Sequence, residues 1–248
     1  MLGELYKPSG LARETAQQVL EVEEPYAVNV AYGCSNGCLY CYGPNFSYQT
    51  RENWMRMRFP KYPPVDLVLN QLKKIKPDGV FISFMTDPYH SLNKKTTSDL
   101  IDLLLHNNVR IATLSKLDVP SQKKVRCGMT IVSLDEAFWH KFESNTINVA
   151  GRIHALKDYK DLNNYVWVSM EPNPISAIWK QDFKSLLEEL KFVDFIVFGK
   201  WNYDRRANTE EAKIEYKNQV GILIDFCKSN HVRFHIKSDT LRFIKEVM

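Results

Sequence analysis

Three of the five cysteines in this chain of 248 residues fall within one short stretch, AYGCSNGCLYCYGPN, at Cys34, Cys38 and Cys41, with Gly33, Gly37 and Gly43 around them. A Cys-x3-Cys-x2-Cys loop brings three thiolates to one side of a tight turn. That set suits three corners of a cubane iron–sulfur cluster and leaves the fourth iron without a protein ligand, an open place for chemistry. Structural zinc instead wants four closed ligands, usually from two closely spaced pairs, and no fourth donor lies near the triplet. The same three cysteines make poor buried hydrophobes in a glycine-bounded loop. Cys127 and Cys227, each beside an apolar strand or helix, suit that role well.

The rest of the chain bounds where such a loop can sit. With 44% hydrophobic and 25% charged residues it can bury a full core as one domain. The core is expected over about residues 26–238, with 1–25 as an N-terminal extension. The N-terminus has no apolar h-region, and no run approaches the roughly 18 apolar residues of a membrane span. Five cysteines, three of them adjacent, do not make a secreted disulfide framework, so the expected compartment is the reducing cytoplasm. A formal net charge of +4 permits an anionic partner without requiring one.

Short apolar runs alternate with longer amphipathic ones. Runs at 26–33, 79–84, 109–115, 128–133, 165–170 and 193–199 read as about six strands, and 232–238 could add a seventh. Between them, 64–76, 96–108, 149–161, 182–191 and 209–230 carry apolar residues at three- and four-residue spacing, several with acids early and lysines late, as the helix dipole favours. Strand and helix in alternation predict an α/β fold with a parallel sheet, either doubly wound or a full or partial (β/α) barrel. Both place function just after the strands' C-terminal ends, where the cysteines lie.

NVAYGCSNGCLYCYGPN, followed by FISFMTDPYH, ATLSK and TIVSLDE and then an arginine-bearing helix, resembles the radical S-adenosylmethionine superfamily, in the branch related to spore photoproduct lyase. The likeness covers roughly residues 28–170. It implies a partial (β/α) barrel, a 4Fe-4S cluster on Cys34, Cys38 and Cys41, and S-adenosylmethionine chelated at the free iron. It also implies a one-electron donor such as flavodoxin or ferredoxin, and Tyr40 with its backbone beside the adenine. A Thr-Asp-Pro-Tyr turn, here Thr86 and Asp87, stands where many members of the superfamily carry a glycine-rich turn for the cofactor amine.

A site for that cofactor needs a cation for its carboxylate, polar acceptors and an apolar wall. Lys116 ends a strand and Arg152 opens a helix; these are the expected carboxylate partners, though each could be a solvated surface cation. Ser169 and Glu171 end the fifth expected strand and are expected as cofactor or substrate contacts. Ser83 and Ser133 also lie at strand ends. Two rim loops mix cations with aromatics: Arg51, Arg56, Arg58 and Lys61 with Trp54, Phe59 and Tyr62, and then Arg205 and Arg206 with Trp201 and Tyr203. Such mixtures fit a nucleotide or nucleic acid substrate, or a solvated basic loop packed by its own rings. The rival reading, from another class, is a non-catalytic zinc or iron–sulfur module that binds nucleic acid.

Overall fold

The computed structural model describes residues 2–245. Its strands are β1 (Leu5–Tyr6), β2 (Tyr26–Val28), β3 (Gly79–Ile82), β4 (Arg110–Ser115), β5 (Val125–Thr130), β6 (Val166–Asn173), β7 (Phe195–Lys200) and β8 (Arg233–Ile236). They form one sheet in chain order. The first pair is antiparallel and every later pair parallel. An order that never reverses has no topological switch point, so the sheet is a barrel arc and not the doubly wound alternative. Seven parallel strands replace the six or so expected. The seventh is the run near residue 232, and β1 is an edge strand too short to leave a pattern.

Both faces of the arc are covered, which is why its strands are apolar on alternate residues of both parities. On the outer face Val80, Ile82 and Ile111 pack under the earlier helices and Cys127, Met129, Val168, Met170, Ile196 and Phe198 under the later ones. Those helices include α4 (Pro64–Leu72), α5 (Lys94–His106), α6 (Glu136–Phe142), α7 (Val149–Asp161), α8 (Phe183–Glu188), α9 (Glu210–Ser229) and α10 (Ser238–Lys245). Helix α7 matches its expected range, with the Asn148 side chain capping it by accepting from Gly151 N at 2.9 Å. Helices α6 and α10 were not anticipated.

The inner face holds Ala27, Phe81, Ala112, Trp167, Phe195 and Val197, and a helix of the N-terminal extension fills it. Ala16, Val19 and Leu20 of α1 (Gly10–Leu20) complete this cluster. Trp167 reaches across Gly128, where any Cβ would overlap the indole. Glu14 ties α1 to the last strand: its carboxylate accepts from His235 Nε2 (2.6 Å), Ser238 N (2.8 Å) and Ser238 Oγ (2.6 Å). Arg126 on β5 holds the other end, donating to Val19 O at 2.7 Å and to the Glu21 carboxylate at 2.6 Å. Among the described residues no helix is long and apolar enough to cross a membrane.

Candidate active site

The cysteine loop leaves β2 at the C-terminal edge of the sheet and is held from two sides. On one side, Tyr32 and Arg58 exchange backbone hydrogen bonds (2.8 and 2.9 Å), and Cys34 N donates to Trp54 O at 3.2 Å. Gly33 has φ +94°, and a Cβ there would run into the Trp54 carbonyl. Beyond α2 (Gly43–Phe46), Arg51 at the start of α3 (Arg51–Met55) donates to the carbonyls of Cys38 (2.5 Å) and Leu39 (2.7 Å). On the other side, Leu39 N donates to Phe142 O at 2.9 Å.

The thiol of Cys38 is buried, those of Cys34 and Cys41 are half-buried, and all five cysteines are unpaired. Burial pushes the Cys38 thiol up to about 12; Lys116 opposes this, while Glu143, Cys41 and Cys34 add to it. Cys34 is raised by burial and by the charge of Asp87, against hydrogen bonds from the backbone of Asn36 and Asp87. The three sulfurs thus lie within electrostatic reach of one another. Among the described residues, however, no three Cys, His, Asp or Glu side chains converge as ligands of a single ion.

A cubane takes each thiolate at a different iron, so it asks three thiols of one loop and not three ligands on a single ion. One donor already reaches a loop sulfur, and a second is buried close by without a partner among the described residues. Gly43 N lies 3.4 Å from the Cys41 sulfur, and the buried Trp54 Nε1, whose ring covers Gly43, has no acceptor. N–H groups of this kind serve cluster sulfurs. Cys127 and Cys227 pack in the outer core, as expected of small hydrophobes.

Asp87 is buried and knits three elements together. Its Oδ1 accepts from Ser115 Oγ (2.8 Å) and Tyr89 N (3.0 Å), and its Oδ2 from Lys116 N (2.9 Å) and Asn36 Nδ2 (3.2 Å). Both oxygens are therefore engaged by protein donors, and what Asp87 fixes is the start of the Lys116 turn. Thr86 is buried beside it, accepting from Asn93 Nδ2 at 3.2 Å. Ser83 sits at φ +66° with its hydroxyl accepting from Val30 N, and Ser133 Oγ accepts from Asp135 N; both organise turns. Ser35 and His90 meet at 2.7 Å, but His90 Nδ1 accepts from Leu92 N, so Nε2 carries the proton and donates to Ser35. The pair is not a nucleophile with its base.

Lys116 makes no ion pair among the described residues. Its ammonium lies 5.5 Å from the centre of the Tyr40 ring. Tyr40 in turn is boxed by Trp201 (ring centres 5.3 Å apart) and Phe138 (6.5 Å), and its hydroxyl donates to Glu143 Oε1.

Arg152 differs from expectation. It is 1% exposed, with Nη2 on Glu143 Oε2 (2.6 Å) and Thr146 Oγ1 (2.5 Å), Nε on Ile147 O (2.8 Å) and Nη1 on Thr130 O (2.8 Å). A guanidinium so engaged has no fork left for a ligand carboxylate. It acts through Glu143, 3% exposed, whose carboxyl is raised by burial against the pull of Arg152. Glu143 lies in KFESN, where no periodicity or spacing marks it.

Ser169 is buried on β6, paired in register with Thr130 and Val197. Glu171, two residues on, occupies room left by Gly199, where a Cβ would crowd its carboxylate. Lys237, at the end of β8, pairs with Glu171 Oε2 at 3.3 Å and donates to Leu11 O at 3.1 Å. Lys237 was missed, although the strand-end position that flagged Lys116 would have flagged it too.

The rim loops need correcting. Trp54 and Trp201 are each 4% exposed and serve as packing, not as open faces for bases. Arg51 is engaged by the cysteine loop, and Arg206 is held by Asp204 at 2.7 Å.

No family model matches the chain. The uncharacterized protein ORF301 of Acidianus two-tailed virus is 25% identical over 232 residues, covering 83% of this chain and 77% of that protein. A spore photoproduct lyase double mutant with bound S-adenosylmethionine and dinucleoside spore photoproduct matches with a TM-score of 0.62 at 14% identity, over 86% of this chain and 76% of that one. The same lyase complexed with dinucleoside spore photoproduct gives 0.63 at 15%, with the same coverage. SuiB of Streptococcus suis gives 0.61 at 10%, over 86% of this chain and 49% of that one. At these identities the likeness is one of fold: the chain's fold resembles that of spore photoproduct lyase and of SuiB.

Proposed function

We propose that this chain is a radical S-adenosylmethionine enzyme acting on a nucleotide or nucleic acid. The observation that carries the reading is the cysteine loop at the C-terminal mouth of a parallel barrel arc, with Lys116, a cation without an ion-pair partner among the described residues, beside it. Cys34, Cys38 and Cys41 would hold a 4Fe-4S cluster. When bound, that cluster would supply one electron for the reductive cleavage of S-adenosylmethionine and so open hydrogen abstraction from substrate.

The chain's own residues prepare the place. Lys116 supplies positive charge for the methionyl carboxylate, and Asp87 fixes the backbone from which Lys116 projects. Tyr40, boxed by rings and tethered to Glu143, sets the segment assigned to the adenine. Glu171, aimed by Lys237 and given space by Gly199, offers an acceptor for hydroxyl or amino groups, and Ser169 stands below it. The substrate class rests on exposed Tyr203 and Arg205 after β7 and on the dinucleoside bound by the similar lyase.

The test is anaerobic reconstitution, reduction with dithionite in the presence of S-adenosylmethionine, and product analysis. Release of 5'-deoxyadenosine and methionine is expected. Stoichiometric zinc with no cleavage would replace the enzyme by a metal-binding module.

A further inference from the structure

Residues 44–62 form a flap over one side of the cysteine loop. Its inward contacts are the Trp54 ring on Gly43, Met57 sulfur 3.8 Å from Ser35 Oγ, Arg51 on two loop carbonyls, and the Tyr32–Arg58 backbone pair. Its outward side is different in kind. Phe46, Tyr48, Phe59 and Tyr62 are exposed, Tyr48 almost wholly, and exposed Leu39 of the loop adjoins them in sequence. Between residues 43 and 65 stand four cations, Arg51, Arg56, Arg58 and Lys61, against one carboxylate, Glu52, in a chain whose whole excess is +4.

We propose that this flap is the docking surface for an acidic one-electron carrier. The inference rests on the cluster reading above and adds where the electron enters. The flap touches the cysteine loop through backbone and side chains, so a carrier seated on it lies next to the loop. Aromatic residues with arginines around them are the make-up of a protein interface, and an arginine-rich rim draws an acidic partner. The Arg56–Glu52 pair is exposed on both sides, so it holds Arg56 weakly and yields it to a partner. Beside the flap a groove of about 510 Å³, lined by Phe59, Pro60, Tyr62, Pro63 and Val65, gives an apolar side chain of the carrier a seat.

Single-stranded nucleic acid is the weaker fit for this surface. Base stacking needs open ring faces next to free cations. Here the rings that lie against cations are covered by them, Tyr62 by Lys61 (5.4 Å) and Tyr32 by Arg58 (4.8 Å), while among the described residues no cation lies over the open rings of Phe46, Tyr48 and Phe59. In the transfer the carrier's reduced group loses one electron and the oxidised cluster gains it; no atom or proton need cross.

The experiment uses the reconstituted full chain and an acidic flavodoxin as the probe. Arg56→Glu combined with Lys61→Glu avoids the residues that brace the loop; Phe59→Ser tests the apolar part separately. Cluster reduction by reduced flavodoxin is followed by stopped flow, with dithionite as the carrier-independent reductant, and flavodoxin affinity is measured alongside. The double variant should be reduced by flavodoxin about tenfold more slowly at low salt, and bind it more weakly, with wild-type iron content and dithionite rate. Wild-type rates should fall steeply as salt rises, and Lys217→Glu, exposed on α9, should behave as wild type. An unchanged flavodoxin rate in both flap variants would overturn the proposal, as would loss of nucleic acid binding alone. A wild-type chain in which dithionite finds no reducible cluster would instead overturn the reading beneath it.

Discussion

On one side of the cysteine loop Arg152 is 1% exposed and has four protein acceptors; on the other, Arg56 and Arg58 stand in solvent with one side-chain hydrogen-bond partner each. The buried side is a clamp. Arg152 fixes Glu143, Glu143 fixes Tyr40, and Tyr40 fixes the segment between Cys38 and Cys41. The exposed side is a surface whose cations remain available to a partner. Burial is what separates the roles: a guanidinium without water must satisfy its donors internally, which makes it a strut, whereas a solvated one keeps its charge for recognition.

That contrast can be broken most sharply at the clamp. Arg152→Met leaves the Glu143 carboxylate buried without its ion partner, and the chain should lose about 3–5 kcal/mol of unfolding free energy, read from denaturant midpoints. A loss under about 1 kcal/mol would mean that Glu143 finds water and the clamp is not rigid.

Next in size is Lys116→Ala, which leaves packing largely intact. It should weaken S-adenosylmethionine binding to the reconstituted protein by about 1.5–3 kcal/mol, the worth of one hydrogen bond to a charged group, without loss of iron. Unchanged affinity would move the carboxylate contact to another cation, Lys237 first.

A smaller effect belongs to Glu14 on the α1 plug. Burial raises its carboxyl, but hydrogen bonds from Ser238 and His235 outweigh this and leave it below the ordinary carboxylate range. A folded pKa below the unfolded one stabilises above the unfolded value, and the gain is lost as pH falls through the folded value. Wild type should therefore melt above Glu14→Gln at pH 7, and the gap should close on acidification below about pH 4. A gap that persists in acid would assign the effect to packing. Smallest of all, Arg56→Ala should shift stability by no more than about 0.5 kcal/mol, as its ion pair is fully solvated.

What could be read from the sequence, and what could not, follows the same division. Spacing along the chain marks Cys34, Cys38 and Cys41, strand ends mark Lys116 and Glu171, and period marks α7, because each signal is local. The clamp joins Tyr40 to a carboxylate 103 positions away, and no local pattern records such a contact. The α1 plug was hidden for a related reason, since its apolar residues have meaning only against the inner face of the arc. Trp54 and Trp201 misled because composition names a ring without telling which way it turns. Both fill the space behind a glycine or an aromatic cluster, and neither forms part of the outer surface.

The most direct test of the central claim is iron and acid-labile sulfide per chain after anaerobic reconstitution, compared between wild type, Cys38→Ala and the Cys127→Ser/Cys227→Ser pair. Wild type and the outer-core pair should each hold about four irons with matching sulfide, and Cys38→Ala should lose them, as a three-thiolate cubane requires. Full iron retained in Cys38→Ala, or zinc in its place in wild type, would contradict the account.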